Sequence, residues 1–243
     1  MLPENEMINE NTGGYTPLPE PRTVRLRFEK TGSLQFISHL DLQRSAARIL
    51  TRAGIPLWYT RGFNPHPKLV FAMPLPIGCE SVCELADVRI DRDMDCGRIL
   101  DGLHRGSSGG LRFTECYIPE RPFRDIAWAR YEIRIAPGEL MSPAGFAEKA
   151  AAVMAEKPLT VIKHGKSGDR LTDISGMMKD IKISCAGEET LLIDLFMSAT
   201  EGNTLSPAHL LGALTSRLGV PGPDTGYSAM RVCMTDAEGS IFR

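Results

Sequence analysis

The residues with the clearest potential for chemistry lie in a proline-rich stretch, RGFNPHPKLVFAMPLPIGCES, at residues 61–81. Its four prolines fix φ and favour extended neighbours, so we expect a stiff loop whose side chains lose little freedom on binding. The side chains that could contact a polyanion are Arg61, Phe63, Asn64, His66 and Lys68. The four polar ones suit phosphates and the ring suits stacking on a base. Alternatively, the prolines only shape a crossover that packs over a sheet.

A second group of bases recurs every four residues just upstream. Residues 40–53 have the apolar period of a helix, with Gly54 placed to end it and Ser38 and Asp41 forming a loose capping box. The bases on its outer face are Arg44, Arg48 and Arg52. His39 lies at the start of this helix, where free backbone N–H groups favour an anion. We therefore expect helix and loop to form one basic surface.

A catalytic or metal-binding role for this surface is a second interpretation of the same residues. His39 or His66 could act as a general acid or base, although a histidine near a helix start is usually structural. Cys79 and Cys83 could join them in a metal site, but their spacing matches no strong zinc signature. There is also no CxxxCxxC triad, no GxGxxG and no P-loop. The sequence thus predicts no metal and no cofactor.

The second half of the chain contains a smaller basic loop. It carries Lys163, His164, Lys166 and Arg170, and it ends at Asp173 and Ile174. This loop could extend an anion-binding track, with Lys163 and Lys166 as the contacts. It could equally be a solvated hairpin tip.

Composition places the chain among ordinary globular proteins and conceals a marked segregation of charge. The net charge of the 243 residues is −2, but residues 22–70 carry nine bases and only two acids, whereas residues 1–21 carry four acids and no base. Concentrated positive charge attracts phosphates. The acidic N-terminus and the lack of a long apolar run predict a cytoplasmic protein without a membrane segment.

Strand and helix patterns predict an α+β protein in which two split βαβ (ferredoxin-like) domains follow each other. Residues 1–22 read as a disordered acidic tail, 23–120 as the first domain, 121–128 as a linker and 129–243 as the second domain. IPLWYT and LTVIK are the predicted second strands of the two domains. Each is followed by a long insertion before the third strand, at residues 61–83 and 164–180, and such loops often carry function.

Two runs resemble a known family. FISHLDLQRSAARIL, residues 36–50, and YTRGFNPHPKLVFAMPLPIGCESVCELADV, residues 59–88, are similar to the signature of the bacterial radical-SAM-linked protein family, a domain of unknown function. The resemblance extends over about residues 22–235. Members are encoded beside, or fused to, a cobalamin-binding radical SAM protein, so the resemblance implies such a partner. It carries over no catalytic residue, because the family has none established.

These observations lead to a ranked set of hypotheses. The first is an RNA-binding accessory protein that acts with a radical SAM enzyme in RNA modification or processing, and that is itself not catalytic. The alternatives are a protein-binding adaptor for the radical SAM partner and a metal-independent RNA endonuclease. Fold analogy alone cannot choose between them.

Overall fold

Helices separate groups of consecutive strands along the chain, and we describe both from a computed structural model. It describes residues 16–107, 110–136, 142–165, 168–187, 189–219 and 227–243. Within these ranges the helices are α1 (His39–Arg52), α2 (Cys96–Gly106), α3 (Pro143–Met154) and α4 (Pro207–Leu218). The strands are β1 (Pro17–Lys30), β2 (Leu69–Phe71), β3 (Cys79–Arg92), β4 (Leu111–Tyr117), β5 (Trp128–Ile135), β6 (Thr160–Gly165), β7 (Gly168–Asp173), β8 (Met178–Cys185), β9 (Leu191–Thr200), β10 (Asn203–Thr204) and β11 (Tyr227–Thr235).

Nine of these strands form one large sheet. Its order is β10-β9-β5-β11-β3-β1-β4, with β2 added on β3 and β8 added on β9. All pairs are antiparallel except β3 with β11, which are parallel and join the two halves of the chain. β6 and β7 form a separate hairpin. The molecule is therefore a mixed α/β protein with a large, mostly antiparallel sheet and four described helices.

The first half buries alternate residues of its strands beneath α1 and α2. Val24, Leu26 and Phe28 on β1 are almost fully buried, as the period-two pattern of this strand predicts. On α1 the buried residues are Leu42, Ala46, Ile49 and Leu50. This is the apolar stripe predicted from the helical period, so the opposite face of α1 is left to solvent.

Both ends of α1 follow the predicted capping chemistry. The hydroxyl oxygen of Ser38 accepts the Asp41 backbone N–H at 3.1 Å, and the hydroxyl donates to the Asp41 carboxylate at 2.7 Å. Gly54 follows the last turn with φ of +70°, a left-handed conformation that costs glycine little. These two caps fix where the row of basic side chains begins and ends.

The predicted second strand of the first half is wrong in position. IPLWYT contributes only isolated bridges, from Leu57 to Ile90 and from Tyr59 to Pro67. The strand that takes the place of the predicted second strand beside β3 is β2, which lies inside the predicted insertion. Pro56 interrupts the donor ladder of the predicted strand, because proline has no backbone N–H.

The second half differs from its prediction in a similar way. LTVIK does form a strand, β6, but it pairs with β7 instead of joining the main sheet. The strand that extends the sheet beside β9 is β8, which begins inside the predicted insertion. β8 occupies a sheet edge and is largely exposed, so neither of its faces is marked by continuous burial.

The predicted boundaries also need correction. β1 begins at Pro17, so the final residues of the predicted 1–22 tail are in a strand, while residues 1–15 lie outside the described residues. The predicted 121–128 linker is packed: the guanidinium of Arg121 binds the Asp236 carboxylate, and Phe123 contacts Phe242. The two predicted domains share one sheet. None of the four described helices is long and apolar enough to cross a membrane.

Candidate nucleic-acid interface

The outer face of α1 presents a row of arginines four residues apart, which places successive ones about 6 Å apart along the axis. Arg44, Arg48 and Arg52 are all exposed. Arg44 pairs with Asp41 at 3.3 Å, and Arg52 donates to the Gly106 carbonyl oxygen at 3.3 Å. Arg48 has no ion pair or hydrogen bond among the described residues. Two of the three guanidinium groups thus have no carboxylate partner.

The four bases that the 22–70 segment places on β1 are paired with acids or buried. On β1, Arg25 binds Asp87 through two hydrogen bonds of 2.7 and 2.9 Å, and Arg27 binds Glu115 at 2.9 Å. Arg22 pairs with Asp93 at 3.1 Å, and Lys30 is buried. The positive charge that the 22–70 segment presents to a ligand is therefore smaller than its composition suggests, and it lies on α1 and the loop that follows.

That loop is a hairpin held together by its own backbone. The Lys68 N–H donates to the Trp58 carbonyl oxygen at 3.0 Å, and the Thr60 N–H donates to the His66 carbonyl oxygen at 2.9 Å. The backbone N–H of Trp58 in turn donates to the Arg89 carbonyl oxygen of β3 at 2.8 Å. The stiffness predicted from the prolines thus has an additional source, because the hairpin base is tied to the sheet.

The hairpin carries the predicted binding residues from its tip to its base. Arg61, Asn64 and Lys68 are exposed, and the Phe63 side chain is fully exposed. His66 is exposed too, but its Nδ1 is 3.1 Å from both the Thr60 hydroxyl and the Asn64 carbonyl oxygen. His66 is therefore held as part of the hairpin, whereas Phe63 projects without packing against the fold.

Helix and hairpin meet at a solvent-open cavity of about 630 Å³. Arg48 and Arg52 line it from α1, and Tyr59 and Pro67 line it from the hairpin. The other lining residues are Leu34, Ile37, Leu42, Ser45, Ala47, Ile49, Thr51 and Leu111. The structure thus brings two of the predicted arginines together with the base of the predicted loop, around a mostly apolar floor.

His39 lies on the inner side of this surface. Its ring is half-buried, its Nε2 is 3.1 Å from the Gln43 amide nitrogen, and it makes an edge contact with Phe71 at 5.3 Å between centroids. Burial lowers the pKa of His39, Glu84 opposes that shift, and Lys30 reinforces it. These contacts give His39 a structural role, and its predicted anion-binding or catalytic role has no direct support from them.

The basic residues predicted in the second half are far from α1 in the sequence, and one of them, Lys163, is hydrogen-bonded within the fold. Lys163 lies on β6, and its ammonium donates to the Thr204 carbonyl oxygen at 2.7 Å, which ties the β6–β7 hairpin to β10. Burial, followed by the neighbouring charge of Arg170, lowers the pKa of Lys163. Lys166 lies outside the described residues. An extension of the basic surface to this hairpin stays a prediction.

The cysteines considered for a metal site are buried thiols. Cys79 and Cys83 lie on β3, and burial raises their pKa values to about 11 and about 12. A thiolate is therefore disfavoured at either position. Within the described ranges, no group of three or more histidine, cysteine or acidic side chains is arranged to hold a metal ion.

Sequence reasoning missed a buried charged cluster behind the interface. At its centre the guanidinium of Arg231 on β11 donates to the Glu84 carboxylate at 2.8 Å and to the Tyr131 hydroxyl at 2.9 Å. All three side chains are almost fully buried. Burial raises the pKa of Tyr131 to about 12, so its phenol stays neutral. No sequence pattern signals this cluster, because its charges come from strands in different halves.

The cluster also holds the proline-rich segment in place. Arg231 donates a third hydrogen bond, of 3.0 Å, to the Pro74 carbonyl oxygen. Lys30, which is buried nearby, donates to the Gln35 carbonyl oxygen at 3.4 Å, and the Gly78 N–H donates to that same oxygen at 3.0 Å. The segment between β2 and β3 is thus fixed from the centre of the molecule as well as at the hairpin.

Comparisons with known proteins identify a family and no activity. A family model described as "Uncharacterized protein conserved in bacteria (DUF2344)" matches residues 23–207. A chain in the crystal structure of a Cbf5-Nop10-Gar1 complex is 12% identical with a TM-score of 0.45; the alignment covers 87% of this chain but only 48% of that one, about half its length. A crystal structure of an unknown protein from Galdieria sulphuraria is also 12% identical, with coverage of 88% and 99% and a TM-score of 0.25. No curated protein matches the chain.

Proposed function

We propose that this chain, which belongs to the DUF2344 family of uncharacterized bacterial proteins, binds RNA and acts as an accessory protein to a radical SAM enzyme in RNA modification or processing. The observation that carries the proposal is the position of Arg48 and Arg52. Both border the open cavity beside α1, and neither has a carboxylate partner in the part of the chain that the structure describes. Guanidinium groups in that state are available for phosphate.

The surrounding side chains supply the rest of an RNA site. Arg44, Arg61 and Lys68 add exposed positive charge on the helix and the hairpin, and Phe63 adds an exposed ring. Phosphate contacts position an RNA without reading its sequence, and an aromatic face accepts any base. We therefore expect binding that depends strongly on salt and weakly on sequence.

The radical SAM partner is proposed from the sequence alone. Its support is the resemblance of residues 36–50 and 59–88 to the radical-SAM-linked family. In this proposal the chain holds the RNA and the partner performs the reaction in the cytoplasm. Co-purification of this chain with a cobalamin-binding radical SAM protein encoded beside it tests the association directly.

We further propose that each half is a split βαβ (ferredoxin-like) unit. The support is a common strand order: β4-β1-β3-β2 in the first half and β11-β5-β9-β8 in the second, with every pair antiparallel. In such units the second and third strands, β2 and β3 or β8 and β9, are joined by short connections, so the predicted long insertions between them are wrong in position. The longer additions precede the second strand: the hairpin from Trp58 to Lys68 in the first half and the β6–β7 hairpin in the second. These two hairpins would then be functional additions to a repeated scaffold.

The proposal is tested by measuring the affinity for bulk transfer and ribosomal RNA across a salt series. Replacing both Arg48 and Arg52 by Ala should weaken binding at least about tenfold at low salt and reduce the salt slope by about 1.4 to 1.8, since each lost phosphate contact removes about 0.7 to 0.9. Arg217→Ala on α4 is the matched control, because it removes an exposed helix arginine from the other half. Weak binding that is indifferent to salt and to the double substitution would refute RNA binding at this surface.

The same samples distinguish the endonuclease alternative. If the RNA is cleaved by the wild type and left intact but bound by His39→Ala, cleavage and not presentation is the activity. In the accessory proposal neither the wild type nor His39→Ala cleaves the RNA. Because His39 contacts Gln43 and does not line the cavity, we expect His39→Ala to leave the affinity unchanged.

One observation favours the adaptor as a second candidate. Phe36, Leu40 and Ile77 are large apolar residues with more than half of their surface exposed, and the Gly78 N–H bond to Gln35 brings the last of them close to the first. Exposed apolar groups in proximity are typical of protein contacts. Replacement of all three by Ser should abolish co-purification with the radical SAM partner in the adaptor case, while RNA affinity stays unchanged.

A further inference from the structure

The cavity beside α1 has a composition that a pure phosphate site does not need. Eight of its twelve lining residues are apolar or aromatic, and Arg48 and Arg52 are two of the other four. A site for phosphates alone requires only exposed cations. Its volume of about 630 Å³ falls within the range of small-molecule sites, which bury flat or apolar groups.

The hairpin adds two aromatic rings at different heights. Tyr59, at its base, lines the cavity and is 44% exposed, and Phe63, four residues further along, is fully exposed at the tip. The backbone that carries both rings is held by the bonds that close the hairpin between Trp58 and Lys68. Uncovered rings on a fixed backbone can stack on bases at a reduced entropic cost of ordering.

We infer that the site takes an unpaired, single-stranded stretch of RNA, with one base lodged in the cavity against Tyr59 and a neighbouring base stacked on Phe63. This inference rests on the proposed RNA-binding function and specifies its ligand. Arg48 and Arg52 at the rim bind the phosphates that flank the lodged base. A paired helix cannot use the cavity, because its bases are stacked inside the duplex and only its backbone reaches the protein.

The experiment compares one RNA sequence in two forms, a 12-nucleotide single strand carrying 2-aminopurine and the same strand annealed to its complement. The full chain should bind the single strand at least about tenfold more tightly, with quenching of the 2-aminopurine fluorescence as the base stacks. Phe63→Ala and Tyr59→Ala should each remove about tenfold of single-strand affinity, reduce the quenching and leave duplex binding unchanged. Leu171→Ala on β7 is the control, because it removes an exposed apolar side chain from the other half of the chain.

The outcomes separate the two levels of the proposal. Equal affinity for both forms, lost only on replacing Arg48 and Arg52, overturns the single-strand inference and preserves RNA binding. Absence of binding to both forms overturns RNA binding itself. Because the Phe63 side chain is fully exposed, we expect Phe63→Ala to keep the fold. If Tyr59→Ala fails to fold, the result with Phe63→Ala can still refute the inference.

Discussion

The arginines of the sheet and the arginines of α1 occupy opposite chemical situations. Arg25, Arg130 and Arg231 each lie on a strand and bind a carboxylate from a neighbouring strand at 2.6–2.8 Å. On α1, Arg48 has no partner among the described residues, and Arg52 contacts only a backbone carbonyl. Guanidinium groups of the first kind hold the molecule together, and those of the second kind are free to meet a ligand.

This difference shows why local charge density is a poor guide to a binding surface. Nine bases fall in residues 22–70, but the four on β1 are either paired with acids or buried. What matters is whether the fold supplies a counter-charge, and on strands the next strand readily does. The comparison can be tested by removing arginines of both kinds.

The largest effect is expected at Arg231. Arg231→Met leaves the Glu84 carboxylate buried without a partner, and such a loss typically costs about 3–5 kcal/mol of the free energy of unfolding. Urea denaturation followed by far-UV circular dichroism measures it.

The double variant Arg231→Met with Glu84→Gln is the control for that experiment. It removes the unpaired charge of the Glu84 carboxylate and should recover part of the lost free energy of unfolding. A single variant as stable as the wild type would show that the cluster contributes nothing to holding the two halves together.

A smaller effect is expected from Arg25→Lys, which keeps the charge but not the geometry. Arg25 makes two parallel bonds to Asp87 and stacks on the Phe123 ring at 4.1 Å, and an ammonium can do neither. We expect a loss of about 1–3 kcal/mol in the same urea measurement. RNA affinity should not change, and a parallel fall in affinity would contradict the division between the two kinds of arginine.

Acid should weaken the sheet pairs. The hydrogen bond from Arg130 lowers the pKa of Asp194 below its ordinary value of 3.8, so the pair stabilises the fold above that pH, and this stabilisation is lost as the pH falls through the lowered pKa. Because the pair is partly exposed, its contribution should be about 1 kcal/mol or less. Asp194→Asn should be less stable than the wild type at pH 7, and the difference should shrink as the pH falls below 3.8. A stability difference independent of pH would contradict this reading.

The smallest effect is expected at Arg44, which lies between the two kinds because its partner Asp41 is exposed on the same helix. Arg44→Ala should leave the urea midpoint unchanged, since an exposed pair one turn apart contributes little. RNA affinity should fall less than on replacing Arg48. If Arg44→Ala weakens binding as much as Arg48→Ala, a counter-charge does not remove an arginine from the interface.

Much of the local structure could be predicted from the sequence, because it depends on neighbours along the chain. The stripe of α1 and its Ser38 cap follow from spacing alone. The position of β2 could not be predicted, because a three-residue strand is defined by its partner β3 and not by its own pattern. β8 was missed for a related reason: an exposed edge strand has no buried face to mark it.

The candidate site divides in the same way. The exposure of Arg48 and Arg52 follows from the helical period, and the stiffness of the hairpin follows from its prolines. The cavity between them depends on how Tyr59 and Pro67 pack beside α1, which no local rule supplies. The contact between Arg231 and Glu84 joins positions 147 residues apart, beyond the reach of any spacing argument.

The parallel pairing of β3 with β11 has a consequence during translation. The ribosome completes β3 long before it makes β11, and the 147 residues between Glu84 and Arg231 require roughly 7–30 s at ordinary elongation rates. Throughout that interval the nascent first half exposes the edge of β3 that later pairs with β11, and the Glu84 carboxylate lacks the guanidinium of Arg231. Chaperone capture of the growing polypeptide is therefore most needed in this window, and slower synthesis of the second half should increase aggregation.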